Sequence, residues 1–286
     1  MDELTVVLKA RELIRKVGPT TIPVPIKGYA DHVGAVLRVE HDLAADEPGY
    51  SFESNGKHYI CVNGKDSDER RNFTACHEIA HIVLGLPSEH QAGPWWSYAK
   101  RPPNEIACDV FAAELLLPYQ LFKPLIEKDD ICFACIEDLA KRFLASVAAT
   151  GSRYATLVKA PCAFVLSEGG KVRYSSRSAA LRDARAWVPP RMDLPDTLSA
   201  QVRAGAACTG AEETETDIWF NDWRRGGVLL EEARHRKRWD QTLTLLWFED
   251  EEIPSLEPDR HKREEEEFGL AELDGVLPWP GKKRPR

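Results

Sequence analysis

Apolar residues recur at helical spacing over residues 3–17, at Leu4, Val7, Leu8, Ala10, Leu13 and Ile14, and Gly18 follows as a stop. That stretch reads as an amphipathic first helix. Residues 20–26 are punctuated by proline and read as a connector, with a short helix over 27–33. The period then shortens. Residues 35–39 read as a strand. Residues 50–53 and 58–62 flank Asn55-Gly56, a pair suited to the positive φ of a tight hairpin turn. The edge of such a small sheet could take up an extended peptide by strand addition; a plain structural hairpin is the alternative.

Helical texture returns at 73–85, an apolar run stopped by Gly85, and at 104–118, with Asn104 as expected cap and Pro118 as end. Residues 121–160 read as two or three short helices. From about 161 the texture changes again. A hairpin is expected over 163–174 around Glu168-Gly169-Gly170, and further strands at 218–220, 228–233 and 242–248. The basic run 234–238 reads as a solvated turn between the last two.

The chemistry lies in the 73–85 run, which contains His77-Glu78-Ile79-Ala80-His81. Four residues turn a helix by about 400°, so His77 and His81 leave the same face one turn apart. Two imidazoles so placed can hold one Zn²⁺. Glu78, about 100° round from His77, can act as general base on a water activated there. A core helix with two backbone-bonded histidines is the plainer alternative. A catalytic zinc needs a third protein ligand. A histidine six residues beyond His81, with a glycine between, is excluded by Leu84 and Pro87. The other arrangement takes a glutamate from a second helix. Glu105 and Asp109 share a face of 104–118, so Glu105 can ligate while Asp109 accepts the N–H of a ligand histidine. Acids complementing a helix dipole are the alternative for that pair. Glu114, half a turn off Glu105, points elsewhere.

The pentad together with the downstream run Asn104-Glu105-Ile106-Ala107-Cys108-Asp109 resembles the ImmA/IrrE metallopeptidases, relatives of the gluzincins. Residues 68–74 are similar to the family's lead-in, although Asn72 stands where an arginine is usual. The resemblance covers roughly 55–120. It implies a cytoplasmic zinc endopeptidase whose protein substrate is a helix-turn-helix repressor of stress or mobile-element genes. Residues 136–154 are similar to the helix-turn-helix unit that the family often carries. Leu144 and Ala145 replace its turn glycine, and Lys141, Arg142 and Arg153 make a thin phosphate footprint. Packing or substrate docking is therefore expected there rather than DNA contact.

The resulting expectation is an α+β fold. A zincin-like peptidase domain with a small sheet spans 1–120, and a helix-turn-helix-like segment spans 121–160. A smaller antiparallel α+β domain, sensor-like in some relatives, spans 161–248, and a charged extended tail spans 249–286. His77, His81 and Glu105 would bind Zn²⁺, or another divalent metal such as Mn²⁺, with Glu78 as base and Asp109 behind a ligand histidine. The competing reading is a non-catalytic metal-containing regulator; an intact Glu78 favours the enzyme, since a binding site needs no base.

Composition changes this picture little. With 43% hydrophobic and 29% charged residues, the chain of 286 reads as globular. No apolar run approaches 18 residues and the start lacks a signal-peptide pattern, so no membrane partner is expected. Of the net charge of −8, residues 249–286 contribute −5 (twelve acids, seven Lys/Arg), leaving a body of −3 that weakly disfavours nucleic acid. Seven scattered cysteines suit a reducing compartment. Cys132-x-x-Cys135 reads as two coincidental thiols. Between the metal helices, Trp95, Trp96, His90 and Tyr98 fall in a loop at 87–101. His90 and Tyr98 are candidates to stabilise an oxyanion, against the plainer reading of ring packing.

Overall fold

The computed structural model describes residues 2–87, 102–127, 130–221, 223 and 226–248. The aromatic loop from residue 88 and the tail from 249 lie outside them.

Helix α1 (Glu3–Val17) begins where the Asp2 carboxylate accepts the Thr5 N–H and ends at Gly18, whose φ of 63° only glycine adopts cheaply. Val6, Ala10, Leu13 and Ile14 face inward, while Leu4 and Leu8 stay exposed. Helix α2 (Ile26–His32) leads into β1 (Ala35–Glu40). Strands β2 (Gly49–Ser54) and β3 (Lys57–Asn63) form the expected hairpin, with Asn55 at φ 53° and Gly56 at φ 72°. Two consecutive positive φ values give the turn the twist of the flanking strands. The sheet order is β1-β3-β2, with β1 parallel and β2 antiparallel to β3. β2 is thus an edge strand.

Helix α3 (Asp68–Leu84) lies on β2 and β3, and α4 (Pro103–Leu116) packs on α3 and α1. Asn104 is not the cap of α4. Pro102 precedes the helix and Pro103 takes its first turn, where the fixed proline φ starts a helix without a side-chain hydrogen bond. Glu114 lies at 3% exposure on the far side of α4 from Glu105 and accepts both Arg153 Nη atoms. Helices α5 (Tyr119–Ile126), α6 (Phe133–Phe143) and α7 (Val147–Leu157) follow. Where a turn glycine was missing, Leu144 itself adopts φ 49°, at a cost of roughly 1–2 kcal/mol. The turn closes through Ala145 N–H to the Ala140 carbonyl at 3.0 Å. Asn72 Nδ2 on α3 donates to the Leu144 carbonyl at 3.3 Å, so the residue that departs from the family pattern braces this turn.

The second sheet is antiparallel in the order β5-β4-β8-β7-β6. Its strands are β4 (Cys162–Glu168), β5 (Lys171–Arg177), β6 (Glu212–Glu215), β7 (Val228–Arg236) and β8 (Gln241–Trp247). Short helices α8 (Ala179–Asp183), α9 (Leu198–Ala204) and α10 (Thr216–Trp219) connect them. Residues 218–220 are therefore not a strand. One helical turn buries Trp219, whose Nε1 donates to Glu231 at 2.9 Å, and leaves Ile218 outside. The basic run is not wholly a turn either. β7 continues to Arg236 because Arg234 lies over the Phe133 ring at 4.8 Å and pairs with Glu232 and Glu137.

Every residue of β8 and most of β4 are buried. Alternation sends Phe164, Leu166, Leu243, Leu245 and Trp247 into a core shared with α1–α7. Ala163, Val165 and Leu246 point into a second core with Trp219, Phe220 and Val188. β8 is covered on both faces, and its two threonines, Thr242 and Thr244, are buried along with its apolar residues.

Candidate metal centre

Helix α3 is capped by the Ser67 hydroxyl, which accepts the Arg70 N–H, and is closed by Gly85 at φ 65°. Its inward face carries His77, Glu78 and His81, exposed by only 8%, 2% and 4%. Glu105 and Asp109, one turn apart on α4, meet that face, both 8% exposed. The sequence placed all five on two facing helices, and the structure puts them in one buried cluster.

His77 Nδ1 donates to Asp109 Oδ1 at 3.0 Å, and His81 Nδ1 donates to the Leu86 carbonyl at 3.2 Å. A carboxylate and a carbonyl only accept, so both protons sit on Nδ1 and both Nε2 atoms turn inward. The two Nε2 atoms are 3.0 Å apart. Glu105 Oε2 is 3.0 Å from His77 Nε2, and Oε1 is 3.5 Å from His81 Nε2. Ligand atoms of His77, His81 and Glu105 all lie within 4.8 Å of one another. Three lone-pair atoms converging in a buried space repel unless a cation lies among them. A proton is one answer. Burial alone pulls the His77 pKa down, yet its hydrogen bonds to Asp109 and Glu105 prevail and raise it to about 9. Burial, then the charge on His77, lowers that of His81. A divalent metal is the other answer, and a two-imidazole, one-carboxylate donor set with the outer nitrogens already tied fits it.

Sequence reasoning missed Ser51 on β2, whose hydroxyl donates to Glu78 Oε2 at 2.6 Å. The signal was available in part: in the hairpin register Ser51 pairs with buried Ile60, on the face turned to α3. Nothing in the sequence named Glu78 as its partner 27 residues on. The Leu86 carbonyl was missed because backbone acceptors leave no mark in a sequence. His90 and Tyr98 fall outside the described residues. Among those described, no helix is long and apolar enough to cross a membrane.

Residues 30–154 match the family model described as "IrrE N-terminal-like domain", a peptidase family. Among curated proteins, the chain is 30% identical over 206 residues to the radiation response metalloprotease IrrE of Deinococcus deserti, spanning 63% of this chain and 69% of that one. Among solved structures it is similar to a Mycobacterium tuberculosis transcriptional regulator, with a TM-score of 0.52 at 12% identity over 86% of this chain and 76% of the other, a likeness of fold. The family match covers both metal helices and the identity extends well beyond them, so the chain belongs to the ImmA/IrrE family of metallopeptidases.

Proposed function

We propose that the protein is a zinc-dependent endopeptidase that cuts a peptide bond in a protein substrate, with a helix-turn-helix repressor as the substrate class. The observation that carries the reading is Glu78: a carboxylate 2% exposed, beside three converging metal donors and aimed by Ser51. A merely structural metal site has no use for it. His77, His81 and Glu105 would hold Zn²⁺, and Asp109 would keep His77 oriented with Nε2 inward. The ion, when bound, supplies positive charge that acidifies a water and polarises the scissile carbonyl. Glu78 accepts the proton of the attacking water and delivers it to the departing amine nitrogen as the C–N bond breaks. Ser51 holds one Glu78 oxygen and leaves the other for that proton. The substrate class rests on family membership, and residues 161–248, with a second core of their own, are assigned to regulation of cleavage.

The test is Glu78→Gln, measured for metal content and for cleavage of a helix-turn-helix repressor that the wild-type protein cuts. The amide cannot take the proton, so cleavage should fall by about 10²–10⁴-fold with metal retained. Undiminished cleavage would remove Glu78 from the mechanism.

A further inference from the structure

We propose that Cys132 and Cys135 are a peroxide-oxidisable pair that closes to a reversible disulfide at the start of α6. The pair stands outside the metal centre and does not depend on the peptidase reading. Four of the seven cysteines, Cys61, Cys76, Cys108 and Cys162, are buried, whereas Cys132, Cys135 and Cys208 are partly exposed. Cys132 is the cap of α6, and its sulfur accepts the Cys135 N–H at 3.3 Å. That bond folds the two side chains over the first turn, and their Sγ atoms stand 2.6 Å apart. Residues three apart in a first helical turn have Cα atoms within the span a disulfide bridges, about 4.4–6.8 Å. Two coincidental thiols need not converge; these do, because the cap itself draws them together.

The chemistry balances with a hydroperoxide as oxidant. One thiol sulfur attacks the peroxide, the O–O bond breaks, and sulfenic acid and water (or an alcohol) result. The second sulfur attacks the sulfenic sulfur. The S–S bond forms, S–O breaks, and the leaving hydroxide takes the second thiol proton as water. The pair loses two electrons and the peroxide gains them; thiol exchange restores the dithiol. The bond would lock the turn from which the Phe133 N–H reaches Glu232 on β7 at 2.8 Å, the seam between α6 and the second sheet.

The test treats the full, metal-loaded chain with limiting hydrogen peroxide, alkylates the remaining thiols and maps them by mass spectrometry. The expected result is loss of two of the seven thiols as a linked 132–135 peptide, about 2 Da lighter than the dithiol, reversed by dithiothreitol, with Cys208 still alkylated. Cys132→Ser keeps an oxygen cap, so the helix start should persist. In that variant the paired loss should vanish and Cys135 should stop at a trappable sulfenic acid. If Cys208 reacts first, if the pair gains oxygen without linking, or if Cys132→Ser loses thiols as wild type does, the proposal is overturned.

Discussion

Replacing Arg153 by alanine tests how the helical segment is fastened to the helix that carries Glu105. Arg153 Nη1 and Nη2 donate to the two oxygens of Glu114 at 2.7 and 2.9 Å, and Nε donates to the Leu117 carbonyl at 3.1 Å. The Glu114 and Arg153 side chains are 4% and 12% exposed. Arg11 also approaches Glu114, but at 3.5 Å and with its own side chain 48% exposed. Hydrogen bonds to charged groups contribute about 1.5–3 kcal/mol each. Removing one partner of a buried pair costs about 3–5 kcal/mol, because the stranded carboxylate has lost its water as well. Arg11 can relieve part of that, so we expect the lower end, about 3 kcal/mol. Arg11→Ala, which removes a half-exposed guanidinium held at a long 3.5 Å and leaves Glu114 its two bonds from Arg153, should cost no more than about 1 kcal/mol. Glu114→Leu with Arg153→Met removes both charges and should recover most of the loss. Urea unfolding followed by far-UV circular dichroism gives each value from the midpoint and slope. Metal content should stay unchanged, since Glu114 faces away from the donor cluster. A cost below about 1 kcal/mol for Arg153→Ala, or a double variant no better than the single, would refute the reasoning.

The purified protein should carry about one Zn²⁺ per chain, as a single three-ligand site requires. His77→Ala, His81→Ala and Glu105→Ala should each lower the occupancy measured by elemental analysis, and full occupancy in Glu105→Ala would mean that the third ligand lies elsewhere. Asp109→Asn should weaken metal binding about 10–100-fold in chelator competition, through loss of the carboxylate behind His77. Gly151→Ala should destabilise by roughly 1–3 kcal/mol in the same urea assay, as overpacking does, because the added Cβ would lie 2.2 Å from the fully buried Phe164 ring. A neutral result would show that α7 and β4 are less tightly joined than the structure has them.

Much of the molecule follows from spacing along the chain. Four residues on a helix set His77 beside His81, and four more set Glu105 beside Asp109, because helical geometry is local and periodic. Asn55-Gly56 and Gly85 mark a turn and a helix end for the same reason, since the conformation they permit is a property of one or two residues. Where local preference was outvoted, the reading failed: Asn104 yielded the cap to the prolines before it. The turn expected after Phe143 did form, with Leu144 in a conformation it disfavours because Ala145 and Asn72 secure it. Short apolar runs also misled, as at 218–220, where three residues do not resolve a period of two from one of 3.6. Tertiary structure alone decided the partners. It set Ser51 against Glu78, Arg153 against Glu114, and the two faces of β4 and β8 into two different cores. A periodic pattern states which face of an element is apolar or polar. What meets that face depends on chain closure and packing over many residues, and neither is written in any one stretch of the sequence.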